Sequence, residues 1–173
     1  EATTVEEVHI LCFFPDAPTA EDFGRHLFDF LPRVPNRVDI FGDQLIVNEA
    51  DEITGEIDFF LTNALKLEIG QVVEAADKWG GIIVPAHINR PAFSLNSQLG
   101  YIPSLPFSAL EIVAGYRDTA WKGPLITGSD THSISQTLKG YSVYDTNKVI
   151  SGSTEDSTPS SWSQAGVLEG IKT

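Results

Sequence analysis

The sequence predicts an α/β domain, on three observations. Ile69, Val72, Val73 and Ala76 recur at helical spacing, and the pattern stops at Gly80-Gly81. The continuous apolar run Ile82-Ile83-Val84 follows at once, so helix, glycine stop and buried strand form the αβ half of a parallel unit. Further short apolar strands are expected at 5–14, 109–113 and 125–127. The chain has 173 residues, which suits a single domain over 1–173 with enough length to bury a core.

The elements follow in order. Residues 5–14 (VEEVHILCFF) are rich in β-branched and aromatic types and end at Pro15-Asp16, as a strand would. Thr19 offers an N-cap, Glu21 and Asp22 suit the positive end of a helix, and Phe23, Leu27, Phe30 and Leu31 carry its apolar stripe to Pro32. His26 lies off that stripe and reads as a surface residue. Residues 33–43 are polar and irregular. Gln44–Asn48 and Ile53–Ile57 flank the acidic turn Glu49-Ala50-Asp51-Glu52 as a hairpin; the turn lacks the glycine and the oxygen spacing of a calcium loop. Residues 59–65 are expected to form a short helix. Residues 88–107 form a long loop whose turns fall at Arg90, Pro91, Ser94, Asn96, Gly100, Pro103 and Pro106. Tyr141–Tyr144 alternates like an edge strand, 151–161 is Ser/Thr-rich, and 162–171 suits a final helix.

Composition narrows the class. The net charge of −13 carries no basic block to offset it, so the expected partners include neither nucleic acid nor an anionic membrane surface. No apolar stretch approaches the ~20 residues of a membrane span, and no secretory signal is visible. The single cysteine, Cys12, forms no internal disulfide, and a reduced, cytoplasmic setting is the default expectation. Methionine is absent, and the start at Glu1 reads as a truncated boundary.

The chemistry concentrates at strand ends. Asp130 and His132 close the run Leu125-Ile126-Thr127, and residues two apart in extended chain share one face. His87 follows Ile82–Ala86, and His9 lies within Val8-His9-Ile10. Carboxylate oxygens and imidazole nitrogens converging at strand ends are ligands that a divalent metal can share.

Four pieces of the chain together resemble the PHP (polymerase and histidinol phosphatase) family. Glu1 followed by Val8-His9-Ile10 resembles the motif of a glutamate preceding a strand histidine. Pro85-Ala86-His87 resembles the third motif, and Ser129-Asp130-Thr131-His132 the fourth. The resemblance implies a distorted (β/α)7-type barrel with ligands at the C-terminal ends of its strands, the usual place for barrel active sites. It implies Glu1, His9, His87, Asp130 and His132 as ligands of divalent zinc, manganese or iron, and Arg90 as a contact to substrate phosphate. His132 or His87 would protonate the leaving group. The family's opening His-x-His strand has no counterpart. The expectation is therefore a barrel incomplete at its N-terminus, its first strands absent, with 15–78 as an inserted helix-hairpin segment and an exposed edge favouring self-association.

The implied function is a metal-dependent phosphoesterase, a hydrolase cleaving a small phosphate ester or nucleotide through a metal-activated water. The alternative is an incomplete PHP fragment, at most a metal- or phosphate-binding module. A third reading is an amidohydrolase-type metal hydrolase, whose barrels also use strand-end histidine and aspartate.

Overall fold

The computed structural model describes residues 1–113, 121–128, 130 and 132. The edge strand expected at 141–144 and the helix expected at 162–171 lie outside the described residues.

Two adjacent glutamates shorten the first expected strand, which starts at His9 instead of residue 5. β1 (Ala2–Thr3) and β2 (His9–Phe13) form an antiparallel hairpin in which Thr3 faces His9. Between them Glu7 turns to φ 60°, its N–H donating to the Thr4 carbonyl at 2.9 Å. Val5 is left exposed, and the Glu6 carboxylate accepts the backbone N–H of Ile69, where the next long helix begins. Carboxylates that can cap a helix from a turn gain more there than in a buried strand.

α1 (Ala17–Phe28) starts earlier than expected. Asp16 is its N-cap, accepting the Thr19 N–H at 2.8 Å, and Pro18 occupies the first turn, where no N–H is needed. Thr19 therefore donates to the cap instead of being it. Phe23 is buried, packing against Phe14 and Trp79, and His26 is half-buried beside Phe30 and Trp79, away from any ligand cluster.

Residues 33–43, expected to be irregular, include the single turn α2 (Val38–Phe41). The hairpin β3 (Leu45–Val47) and β4 (Ile53–Glu56) is as expected, with a register shift at Ile46/Val47. Asn48 closes its turn by accepting the N–H groups of Ala50 and Glu52. The short helix expected over 59–65 does not form. Phe59 bridges to Pro35, Phe60 donates to the Val34 carbonyl, and Leu61 donates to the Gln44 side chain, so the groups a helix would use are already bonded to the preceding segment.

α3 (Ile69–Lys78) follows the expected periodicity and buries Ile69, Val72, Val73 and Ala76. Glu68 and Gln71 form its capping box, and Gly80 at φ 70° lets the chain turn into β5 (Ile82–Pro85). β5 pairs antiparallel with β2, Ile10 opposite Pro85. The loop after it contains the one-turn α4 (Leu95–Gln98), capped by Ser94. β6 (Leu110–Ile112) and β7 (Leu125–Thr127) pair in parallel. Bonds from Ser108 to the Ile83 carbonyl and from Ile88 to the Glu111 carbonyl run β6 alongside β5 in the same direction. The core lies over this surface: Val8, Ile10, Val72, Val73, Ile83, Ile88, Leu95 and Leu110 are all nearly inaccessible.

The architecture is thus mixed α/β, with three small sheets ordered β1-β2-β5, β3-β4 and β6-β7. Among the described residues no barrel closes. Strand β2 runs against β5, whereas a barrel of β/α units needs its strands parallel. No described helix is long and apolar enough to cross a membrane.

Candidate metal centre

The β1–β2 hairpin and the end of β5 bring three candidate ligands to one point. Glu1 precedes β1 on the same face as Thr3, and Thr3 faces His9, so Glu1 stands diagonally across from His9. Its carboxylate contacts His9 Nδ1 and lies 3.8 Å from His87 Nε2. Beyond β5, the Ala86 N–H donates to the His9 carbonyl at 3.0 Å, which sets His87 beside His9. The two imidazoles meet edge to face, their centroids 5.3 Å apart. One ligand atom from each of Glu1, His9 and His87 lies within 4.8 Å of the others.

The electrostatics suit a cation. The contacts to His87 and then His9 hold the Glu1 carboxyl well below the usual carboxylate range, against the opposing effect of burial. His87 is 3% exposed, and its Nδ1 is buried without a hydrogen-bond partner. Two imidazoles and one carboxylate are the protein ligand set of a common class of hydrolytic zinc site, and they suit first-row divalent ions better than calcium. The residues present therefore fit a divalent cation.

Behind the ligands stands Glu111 of β6. It is 9% exposed, and its Oε2 accepts the His87 backbone N–H at 2.8 Å. That bond braces His87 at φ 29°, a region few residues other than glycine occupy. The other carboxylate oxygen packs on Gly128 so closely that a Cβ there would overlap it. Glu111 thus ties the end of β5 to the chain leaving β7, two residues before Asp130.

Asp130 and His132 reach the same pocket from β7, which is lined by His9, His87, Arg90, Pro91, Ala92, Phe93, Asp130 and His132. Arg90 pairs with the Asp130 carboxylate. His132, 74% exposed, places Nδ1 2.8 Å from the Asp130 carbonyl oxygen. Phe93 stacks on His9 with centroids 4.8 Å apart and planes at 15°. Of the residues singled out from sequence, Glu1, His9 and His87 converge. Asp130, His132 and Arg90 line the same pocket, with Asp130 held by Arg90 outside the triad. Sequence reasoning missed Glu111 and Phe93. A glutamate inside the apolar strand Ala109–Val113 was a readable signal for the first; nothing local marked the second.

Comparison with known proteins places the fold. No family model matches the sequence, and no curated protein does. A solved structure, the novel lesion-specific endonuclease PfuEndoQ from Pyrococcus furiosus, superposes with a TM-score of 0.55 at 17% identity, over 76% of this chain and 30% of that one. The chain thus spans under a third of that protein's length, and the likeness concerns the fold. It supports the α/β arrangement expected from the PHP-like motifs, without a closed barrel. It also corrects the expectation that nucleic acid is excluded as a partner, because a protein sharing this fold is an endonuclease. The net charge of −13 is a sum over the whole chain and governs general affinity. The field inside one pocket is set by the groups that line it, here including Arg90, and need not follow that sum.

Proposed function

We propose that this chain is a PHP-type metal-dependent phosphoesterase domain, a single domain over 1–173. The observation that carries the reading is the convergence of Glu1, His9 and His87 in a pocket that also contains Arg90, Asp130 and His132. Glu1, His9 and His87 would hold a divalent zinc, manganese or iron ion, with Asp130 and His132 as further ligands. When bound, such an ion lowers the pKa of water and offsets phosphoryl charge.

The chain's own residues do the rest. Arg90 offers a planar fork of donors to phosphate oxygens, exchanging a carboxylate partner for a phosphate one. A carbonyl oxygen only accepts, so His132 Nδ1 carries the proton toward Asp130; as an imidazolium free of metal, His132 would hand its Nε2 proton to the leaving oxygen, whereas as a neutral ring it would ligate through Nε2 instead. His87, buried at the back of the pocket with Nε2 facing Glu1, would be the alternative proton donor only in a state in which that nitrogen holds a proton instead of the metal. The substrate class is a phosphate ester, and the endonuclease likeness favours an ester within a nucleotide or nucleic acid. A second reading, a metal- or phosphate-binding module without turnover, draws on the Arg90–Asp130 pair, which holds Asp130 outside the triad.

Hydrolysis of bis(p-nitrophenyl) phosphate with added manganese or zinc tests the proposal. Turnover that is lost with a chelator and falls at least 100-fold in His132→Ala is expected. Well-folded protein that binds manganese and shows no turnover on this diester or on a monoester favours the module, and turnover confined to amide substrates moves the chain to the amidohydrolase class.

A further inference from the structure

Phe93 is an apolar residue in a place that stability alone does not explain. Its ring lies on the pocket wall with 42% of the residue exposed, and its backbone sits at φ 56°. An exposed aromatic gains little from burial, and a positive φ on a non-glycine residue adds strain. Among the described residues, three of the five non-glycine residues at positive φ, His87, Phe93 and Asp130, line this one pocket. The surroundings fix Phe93 from two sides. The His9 N–H donates to its carbonyl at 3.0 Å, and its ring lies flat on the His9 imidazole. One face of the ring is therefore committed to a proposed metal ligand, and the exposed remainder borders the pocket that contains Arg90.

We propose that Phe93 is the stacking platform for a nucleobase, so that the site takes a phosphate ester carrying a base: the base lies on Phe93 while the phosphate meets Arg90 and the ligand triad. The proposal deepens the phosphoesterase reading and rests on it for the position of the phosphate. A planar base has a π-face whatever its sequence, and stacking on an aromatic side chain raises affinity by about tenfold or more per base. Rigid attachment to His9 orients the platform before the substrate arrives, which lowers the ordering cost of binding.

Calorimetry on the manganese-treated chain tests this with two probes, adenosine 5′-monophosphate and ribose 5-phosphate, which differ at C1 of the ribose, adenine in the one and hydroxyl in the other. The nucleotide is expected to bind about tenfold or more tightly. In Phe93→Leu that preference should collapse while ribose 5-phosphate affinity holds within about twofold; Phe93→Trp should retain it. Equal binding of the two probes by the native chain, binding of neither, or a preference that survives Phe93→Leu overturns the proposal. A base preference without hydrolysis of any ester leaves the platform standing and removes the phosphoesterase reading. A short single-stranded oligonucleotide that binds more tightly than the mononucleotide places the base within a strand, and equal affinity places it in a free nucleotide; either supports the platform.

Discussion

Glu111 and Gly128 are matched to each other. The buried carboxylate that braces His87 occupies the space a side chain at position 128 would need. Gly128→Ala should therefore push Glu111 off the His87 N–H, lowering stability by about 1–3 kcal/mol as overpacking does. It should weaken metal binding at the triad as well. In a Glu111→Ala background, where the obstruction is gone, the further loss from Gly128→Ala should shrink to within ~0.5 kcal/mol. Thermal unfolding of the four chains measures this cycle, and full additivity would show that the two residues do not compete for space. Cys12 plays no part in the site: burial pushes its thiol up to about 11, which leaves it a poor nucleophile at neutral pH.

The elements differ in how their stability is built, and so in what a mutation does to them. α3 has a capping box, a buried stripe and the Glu6 carboxylate at its N-terminus, whereas the β3–β4 hairpin exposes Leu45, Ile46, Val47 and Ile53. A two-stranded hairpin is marginal by itself. Gln44 secures its base, donating to the Ile57 and Phe59 carbonyls at 3.0 and 2.7 Å and accepting from the Leu61 N–H at 2.9 Å. Gln44→Ala should accelerate amide exchange across β3 and β4 by at least tenfold and leave β2 and β5 unchanged. Equal acceleration in both places would mean that the hairpin and the central sheet open as one unit. Element type was legible where periodicity was strong. Ile69–Ala76, the run Ile82–Val84 and the 44–57 hairpin each follow one pattern over enough residues to outweigh alternatives. It failed where non-local partners decided: residues 59–65 have helical composition, yet their backbone groups bond to 34–36 and to Gln44. The strand expected over 5–14 starts only at His9 for a related reason, since a cap for Ile69, distant in sequence, holds Glu6 in a turn.

At the scale of the whole molecule, acid should act through the centre. The folded-state Glu1 carboxyl titrates below its ordinary value of 4.5, so its contacts stabilise the fold fully above that value. The contribution is lost as pH falls from 4.5 toward the depressed folded value. Melting temperature followed from about pH 6 to about pH 3 should therefore fall more steeply in the native chain than in Glu1→Gln. Parallel curves would show that the Glu1 contacts contribute nothing to stability. The site was partly legible in sequence, because His9, His87, Asp130 and His132 each stand at or beside an apolar run. Its remaining parts depend on side chains that meet only after folding: Glu111 reaches His87 from another strand, and Phe93 meets His9 through a loop. Whole-chain charge was too coarse to exclude nucleic acid, because it averages over the entire surface whereas a binding site is local. Manganese titration by calorimetry, on the native chain and on His87→Ala, tests whether Glu1, His9 and His87 hold a divalent ion. Stoichiometric binding by the native chain is expected, with at least a 100-fold loss of affinity in a variant that keeps its far-ultraviolet spectrum. Native protein that is well folded and binds no divalent ion would contradict it.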